Sequence, residues 1–204
     1  MSEHVVLREV LEILEGFYPK DTAQSWDRVG LTTGDPDQPV QRIHYAVDPT
    51  LAVVEVARDA EADLLITHHP LLLRGVTSVA TTSAKGATVT GLIVADIALY
   101  SAHTNADVAW PGVCDALGAA CGLTDLRHHP ALEAREEARG GTPYLIDAGH
   151  YATEYLWLDS VRSRLTDALS ELGPRGVSVE HHVSALVTDP WTFTVGALDL
   201  DDAR

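Results

Sequence analysis

Cysteine is scarce in this chain, which contains only Cys114 and Cys121 among its 204 residues. The two lie seven positions apart on a predicted helix, roughly 10 Å along its axis, and that separation is too long for a disulfide. Neither belongs to a C-x-x-C motif, so zinc-finger and thioredoxin-type sites are excluded. We expect both to be small core residues on one helix face.

Positive charge is scarce as well, with 14 Lys and Arg residues against 30 Asp and Glu residues and a net charge of −16. The basic residues form no cluster, whereas binding to a phosphate backbone requires clustered Lys and Arg. We therefore expect no nucleic-acid partner. An acidic surface attracts divalent cations, although this argument is not specific.

Long apolar runs are absent, and none approaches the length that spans a bilayer. The acidic opening MSEHVVLREV lacks the basic region of a signal peptide. We therefore expect a cytoplasmic protein without a membrane partner. A chain of this length forms one sizeable domain or two small ones.

The segment ADLLITHHP, residues 62–70, contains a short apolar run that ends in His68, His69 and Pro70. Such a run predicts a buried strand that arrives at the edge of a sheet. Ligands bind at the carboxyl ends of strands in open α/β sheets, and proline stops a strand from continuing. Two imidazoles at that position favour a metal site over two isolated histidines.

Apolar periodicity predicts helices and strands that alternate along the chain. A strand at 42–47, a helix opened by Asp48 as N-cap and a strand at 62–67 form a β-α-β unit, which implies a parallel sheet. We predict further helices at 5–17, 85–97, 111–122, 131–139 and 158–172, and further strands at 98–102, 143–146 and 177–187.

The two parts of the chain repeat one pattern. THHP is followed by a helix, a strand and H-x-x-x-D, with His103 and Asp107, and RHHP is followed by a helix, a strand and H-x-x-x-E, with His150 and Glu154. The matching order and spacing favour a repeat over chance. We predict an α/β fold of two pseudo-repeated β-α-β halves, residues 1–123 and 124–204, around a shared metal cleft.

The candidate ligands are four imidazoles and two carboxylates: His68, His69, His103, Asp107, His150 and Glu154. In a helical turn, residues four apart share one face, and a carboxylate can bridge two ions. Mixed ligands of this kind suit zinc, iron, manganese or nickel equally and argue against calcium. A water between two such cations is a nucleophile, which favours hydrolytic chemistry. The chain has no P-loop, GxGxxG or Ser-His-Asp order.

Six segments together resemble the Nif-three-like dinuclear-metal family, whose members are often labelled GTP cyclohydrolase type-two homologues. They are WDRVGL, VDPT, ADLLITHHP, ALYSAHTNAD, PGVCDAL and LIDAGHYATE. The resemblance implies a dinuclear site in an α/β fold and a toroidal homohexamer. It places metal ligands on five residues, with His103 as a sixth; the five are His68, His69, Asp107, His150 and Glu154.

The chain departs from that family between its halves, where residues 121–123 run directly into TDLRHH. Family members are usually longer, and many carry an inserted domain there, so we interpret the junction as an internal deletion. Arg28 also stands where the family commonly has Asn.

Three functions remain open: a hydrolase of a nucleotide-like or phosphorylated small molecule, a metal-binding scaffold or metallochaperone, and a regulatory protein whose metals hold the fold. The other histidines have no partner at ligand spacing, and we expect none of them to bind metal: His4, His44, His181 and His182. His128 and His129 either support the site or lie on the surface. Trp26 and Asp27 either pack the floor of the site or anchor their loop, and we favour the anchoring role.

Overall fold

The computed structural model describes residues 4–124, 149–172 and 178–190 and shows a mixed α/β fold. The helices, apart from a short 3-10 turn at Lys20–Thr22, are α1 Leu7–Phe17, α2 Leu51–Asp59, α3 Ala84–Val94, α4 Thr104–Val108, α5 Val113–Ala120 and α6 His150–Glu171. The strands are β1 Gly30–Thr33, β2 Arg42–Ala46, β3 Leu64–Thr67, β4 Ala98–Ser101 and β5 Glu180–Val183.

The described strands form one sheet in the order β1-β4-β3-β2-β5. β4, β3, β2 and β5 run parallel, and β1 pairs antiparallel with β4. Thr67 at the end of β3 is in register with Ala46 of β2 and Ser101 of β4. The segments that follow these three strands therefore leave the sheet at the same edge, where parallel sheets bind ligands.

Helices cover both faces of the sheet, which is why the apolar residues of β3 are all buried. On one face, α1 and α6 pack against Leu64 and Ile66, and on the other, α2 and α3 pack against Leu65. Trp157 of α6 is fully buried, and its Nε1 donates a hydrogen bond to the Tyr18 hydroxyl at 3.0 Å. This contact joins α6 to the end of α1.

The predicted parallel β-α-β unit and the α/β class are confirmed, with helix and strand ends that differ by a few residues. β1 was not predicted, because its four residues GLTT carry little apolar signal. Helix α6 begins at His150 rather than at residue 158, so the predicted helix lacked the first turns, which carry His150 and Glu154. The predicted elements at 131–139 and 143–146, and His128 and His129, lie outside the described residues.

Two local predictions were wrong. Thr50, not Asp48, caps α2 and accepts a hydrogen bond from the Val53 amide, because the Asp48 carboxylate is engaged by His69. Cys114 and Cys121 are exposed free thiols rather than core residues, since the buried residues of α5 are Val113 and Gly118.

Residues after 124 contribute to the same sheet and core as residues before it. β5 pairs with β2, and the buried side chains of α6 join the cluster built on α1. The division at residue 123 and the second β-α-β half remain predictions, since residues 125–148 are not described. Within the described ranges, no helix is long and apolar enough to cross a membrane.

Candidate metal centre

Three imidazoles meet at the carboxyl edge of the sheet. His68 and His69 follow β3, and His103 follows β4 as the N-cap of α4. Each ring offers one ligand nitrogen, and the three nitrogens lie within 4.8 Å of one another. The register between β3 and β4 brings these chain-distant residues together, as the strand-end prediction requires.

Two carboxylates face the same space. Glu154, buried in the second turn of α6, places Oε1 3.6 Å from His68 Nε2 and Oε2 3.2 Å from His69 Nε2. Asp107 of α4 places Oδ1 3.7 Å from His68 Nε2. Nitrogen and oxygen ligands from β3, β4, α4 and α6 therefore converge on one volume.

An oxygen acceptor holds the Nδ1 atom of each imidazole. His68 Nδ1 lies 3.0 Å from the Ala102 carbonyl, His69 Nδ1 2.7 Å from Asp48 Oδ1, and His103 Nδ1 3.0 Å from Asp27 Oδ1. Carbonyl and carboxylate oxygens only accept hydrogen bonds, so each Nδ1 carries a proton. In the neutral ring, Nε2 then has the lone pair that a metal ion needs.

Asp27 and Asp48 are themselves fixed in place. Asp27 accepts hydrogen bonds from the amide and hydroxyl of Thr104 at 3.1 and 2.5 Å, and Asp48 accepts one from the Thr188 hydroxyl. Burial alone would raise the pKa of each carboxyl, but hydrogen bonds from Thr104 and His103, or from His69 and Thr188, outweigh it and lower the pKa. Both groups are ionised acceptors that orient the histidines.

The structure shows a role for Asp27 and Asp48 that sequence reasoning missed. Asp27 was expected to anchor a loop and Asp48 to cap a helix. A signal was available for Asp48, because the VDPT turn directly follows β2, whose last residue pairs with the last residue of β3. That register places Asp48 beside His69 at neighbouring strand ends.

The carboxylates of Asp48 and Glu154 favour the protonated form of His69. Burial lowers the pKa of His69, but its contacts with Asp48 and Glu154 outweigh burial and raise the pKa to about 10. Burial raises the pKa of Glu154, and the nearby His68 and His69 outweigh it and hold the pKa far below its usual range. A cation on His69 Nε2 therefore has to displace a proton.

The donor set fits a metal ion on one further observation. Among the described residues, the buried Glu154 Oε2 has no hydrogen-bond partner, although it lies 3.2 Å from His69 Nε2. A buried carboxylate oxygen without a hydrogen bond is costly, and a cation between the carboxylate and the imidazoles would remove that cost. Burial also raises the pKa of Asp107, in spite of the nearby His68 and His103. The two imidazoles therefore do not fully compensate the burial of this carboxylate, and a cation would.

Five of the six predicted ligands are brought together, and His150 is not among the residues in these contacts. His150 is exposed at the first position of α6, one turn before Glu154. The helical spacing predicted for this pair is present, but the contacts that join the other five residues do not include His150. Its place as a ligand stays a prediction.

Comparison with known proteins agrees with this architecture. The profile of the family Duf34/NIF3 (NGG1p interacting factor 3) matches residues 5–127. A relative in Streptomyces coelicolor, named GTP cyclohydrolase 1 type 2 homolog, is 34% identical over 283 aligned residues that cover 97% of both chains. That alignment is longer than the 204 residues of this chain, so the relative contains residues without a counterpart here, as an internal deletion would leave.

Other relatives match only part of this chain. A Mycobacterium tuberculosis protein of the same name is 52% identical over 120 residues, which are 59% of this chain and 31% of that protein. The solved structure of a Bacillus cereus protein related to NIF3 matches with a TM-score of 0.58 and 33% identity, over 68% of this chain and 42% of that one. On the family match and the full-length relative together, this chain belongs to the Duf34/NIF3 family.

Proposed function

We propose that this centre binds two divalent cations and that the chain is a metal-dependent hydrolase of a nucleotide-like or phosphorylated small molecule. One observation carries the proposal: three imidazoles, each held at Nδ1 by an oxygen, bring their ligand nitrogens within 4.8 Å of one another, beside the carboxylates of Glu154 and Asp107. Relatives named GTP cyclohydrolase 1 type 2 homolog support a hydrolytic reaction of this class.

The candidate ligands would divide between two cations around Glu154. Its two oxygens face different imidazoles, Oε1 toward His68 and Oε2 toward His69, so this carboxylate would serve both cations. Asp107 and His103 complete the set from α4, with His150 as the sixth ligand. Zinc, iron, manganese and nickel all accept such ligands.

The residues of this chain prepare the site for that chemistry. When bound, two cations supply a water that is nucleophilic near neutral pH and stabilise negative charge on the substrate. Asp27 and Asp48 hold His103 and His69 in the tautomer that leaves Nε2 free. Asp107 is the more open carboxylate, with a side chain 39% exposed against 11% for Glu154, so substrate approaches from its side.

An aromatic surface at the edge of the centre supports a substrate with a planar ring. The Trp26 indole packs edge-on against the His103 ring, with ring centres 5.8 Å apart, and is 54% exposed. Any nucleobase can stack on an exposed aromatic ring, because every base has a flat π-face. A nucleotide-like substrate could therefore place its base on Trp26 and its reacting group at the cations.

The test is metal content and turnover in Glu154→Gln, with Glu171→Gln on the exposed last turn of the same helix as control. Elemental analysis should find about two metal equivalents per chain in the parent and control, and at least one fewer in Glu154→Gln. The metal-loaded parent should consume a substrate from a panel of nucleotides, and Glu154→Gln should not. Equal metal in both variants would refute the centre.

A non-catalytic scaffold or metallochaperone is the second candidate, because the chain spans only 31% of the mycobacterial relative. The scaffold replaces the hydrolase if Glu154→Gln loses metal as expected, while the metal-loaded parent consumes no nucleotide or phosphorylated substrate. The homohexamer and the cytoplasmic location remain predictions. A solution mass near six times 22.0 kDa would establish the hexamer.

A further inference from the structure

A second group of histidines lies away from the centre, on β2 and β5. His44 of β2 is fully buried, and neither of its ring nitrogens has a hydrogen-bond partner. Burial of a polar group without a partner costs free energy, and nearly all buried polar groups in native proteins are paired. The described residues therefore supply no partner for the ring nitrogens of His44, and a bound ligand would remove this cost.

The neighbour of His44 is another imidazole. β2 and β5 run parallel with His44 in register with His182, and the two ring centres are 5.0 Å apart with an angle of 35° between the planes. Both residues line a cavity of about 180 Å³, together with Arg42 and Glu180. None of the three histidines of the metal centre lines this cavity.

The charges around the cavity permit a cation. Arg42 is the guanidinium at its wall, and it pairs with Glu61 at 2.7 Å and Glu180 at 2.9 Å. These two carboxylates offset the positive charge of Arg42, so the guanidinium does not exclude a cation. Burial, with a smaller contribution from His182, lowers the pKa of His44 to about 4, so its imidazole is neutral at pH 7 and has a free lone pair.

We propose that His44 and His182 bind a divalent cation of the zinc type at a second site, separate from the centre at the ends of β3 and β4. Two imidazoles on one tetrahedral ion, with metal–nitrogen distances of about 2.0–2.1 Å, have ring centres roughly 5 Å apart. The observed spacing of 5.0 Å matches this requirement. Water completes the coordination, because Arg42 already occupies the Glu180 carboxylate.

Sequence spacing gave no reason to pair these residues, and only the parallel register of β2 and β5 does so. With two protein ligands, the site binds its cation more weakly than the five-ligand centre. The proposal is independent of the reaction at that centre. It requires only that the pair take up zinc after the centre is saturated.

The experiment is a calorimetric titration of the full chain with Zn²⁺, continued beyond saturation of the centre. His182→Ala is the main variant, because His182 is exposed and its loss leaves the core intact. His181→Ala is the matched control, since His181 also borders the cavity but its ring Nδ1 is engaged by the Tyr45 hydroxyl at 2.7 Å. The parent and control should show an additional weaker binding step, and His182→Ala should weaken that step at least tenfold.

A second measurement follows the ring itself. Nitrogen-15 spectra of the histidine side chains should show the His44 signals shift with the same zinc equivalents that produce the weaker step. The proposal is wrong if that step survives His182→Ala unchanged, if His181→Ala removes it equally, or if the His44 signals stay constant while zinc is added. Each of these results would leave His44 as a buried imidazole without a ligand.

Discussion

His44 of β2 and His68, which directly follows the neighbouring parallel strand β3, are both buried imidazoles, yet their surroundings differ. His68 has the Ala102 carbonyl at 3.0 Å behind Nδ1 and two carboxylates in front of Nε2. His44 has no hydrogen bond on either nitrogen and a second imidazole as its neighbour. Both rings are equally buried, but only His68 has an oxygen acceptor at Nδ1. That acceptor fixes the proton on Nδ1 and leaves the lone pair on Nε2.

The position along the strand explains the difference. His68 follows the last residue of β3, where the segment after β4 and helices α4 and α6 supply oxygens. His44 lies inside β2, where both backbone groups serve the sheet and only a neighbouring strand can supply a ligand. We therefore expect tight cation binding at the centre and weaker binding at His44 and His182, the mid-strand pair.

The largest effect should come from a ligand of the centre. His103→Ala removes one of three converging imidazoles, and we expect the metal dissociation constant to rise on the order of a hundredfold or more, beyond the loss typical of an outer contact. Competition with a coloured chelator measures this constant. The weaker zinc step assigned to His44 and His182 should remain unchanged in this variant.

His150→Ala is the informative comparison for that variant. His150 is exposed and takes no part in the contacts that join the other candidate ligands, so its loss should reduce affinity less than the loss of His103. If both variants lose metal equally, His150 is a full ligand as the resemblance implies. If His103→Ala retains normal affinity, the three-imidazole centre is not the metal site.

The unpaired ring should make the protein sensitive to acid. The folded pKa of His44 is about 4 against 6.5 for an unperturbed histidine, so between these values the unfolded chain binds more protons than the folded chain. Stability is therefore present above pH 6.5 and lost as pH falls toward 4, by about 3 kcal/mol when the loss is complete. In urea unfolding of metal-free protein, His44→Leu should lose less stability than the parent between pH 7.0 and 4.5.

His182→Ala provides the control for this acid effect. His182 is exposed, and it lowers the pKa of His44 less than burial does, so this variant should keep most of the parent's loss. Equal losses in the parent, His44→Leu and His182→Ala would show that His44 takes up its proton in the folded state without cost. The expectation that protonation of His44 destabilises the folded protein would then be wrong.

Removal of an orienting acceptor should have an intermediate effect. Asp48→Asn replaces the carboxylate that receives His69 Nδ1 at 2.7 Å, and loss of such an outer contact typically weakens metal binding by about 10–100-fold. Asp59→Asn, an exposed residue paired with Arg58 on α2, is the control. A merely structural role for Asp48 would lower the melting temperature of the metal-free protein but leave its metal affinity near that of the control.

The sequence indicated the residues that meet at the centre better than it indicated the acceptors that orient the histidines. Strand ends and the four-residue spacing indicated His68, His69, His103, Asp107 and Glu154, because ligands recur at positions that the local backbone dictates. The roles of Asp27 and Asp48 depend on which loop crosses which strand end, and that information lies in the tertiary register rather than in spacing.

The pair on β2 and β5 shows the same limit more strongly. His44 and His182 have no ligand motif around them, and only the order of the strands places β5 beside β2. The start of α6 was also missed, because the spacing of His150 and Glu154 indicated a helical turn but not that this turn continues into the helix predicted from residue 158.

The smallest effect should come from charge alone at the mid-strand pair. Glu180→Gln removes one of the two carboxylates around Arg42, and exposed ion pairs of this kind contribute at most about 1 kcal/mol. We expect the weaker zinc step to lose about two- to threefold in affinity, or roughly 0.5 kcal/mol, with Glu55→Gln on α2 as control. Because Arg42 holds the Glu180 carboxylate, the imidazoles should retain the ion without it. A loss as large as that of His182→Ala would make Glu180 a direct ligand and show that two imidazoles alone do not define this site.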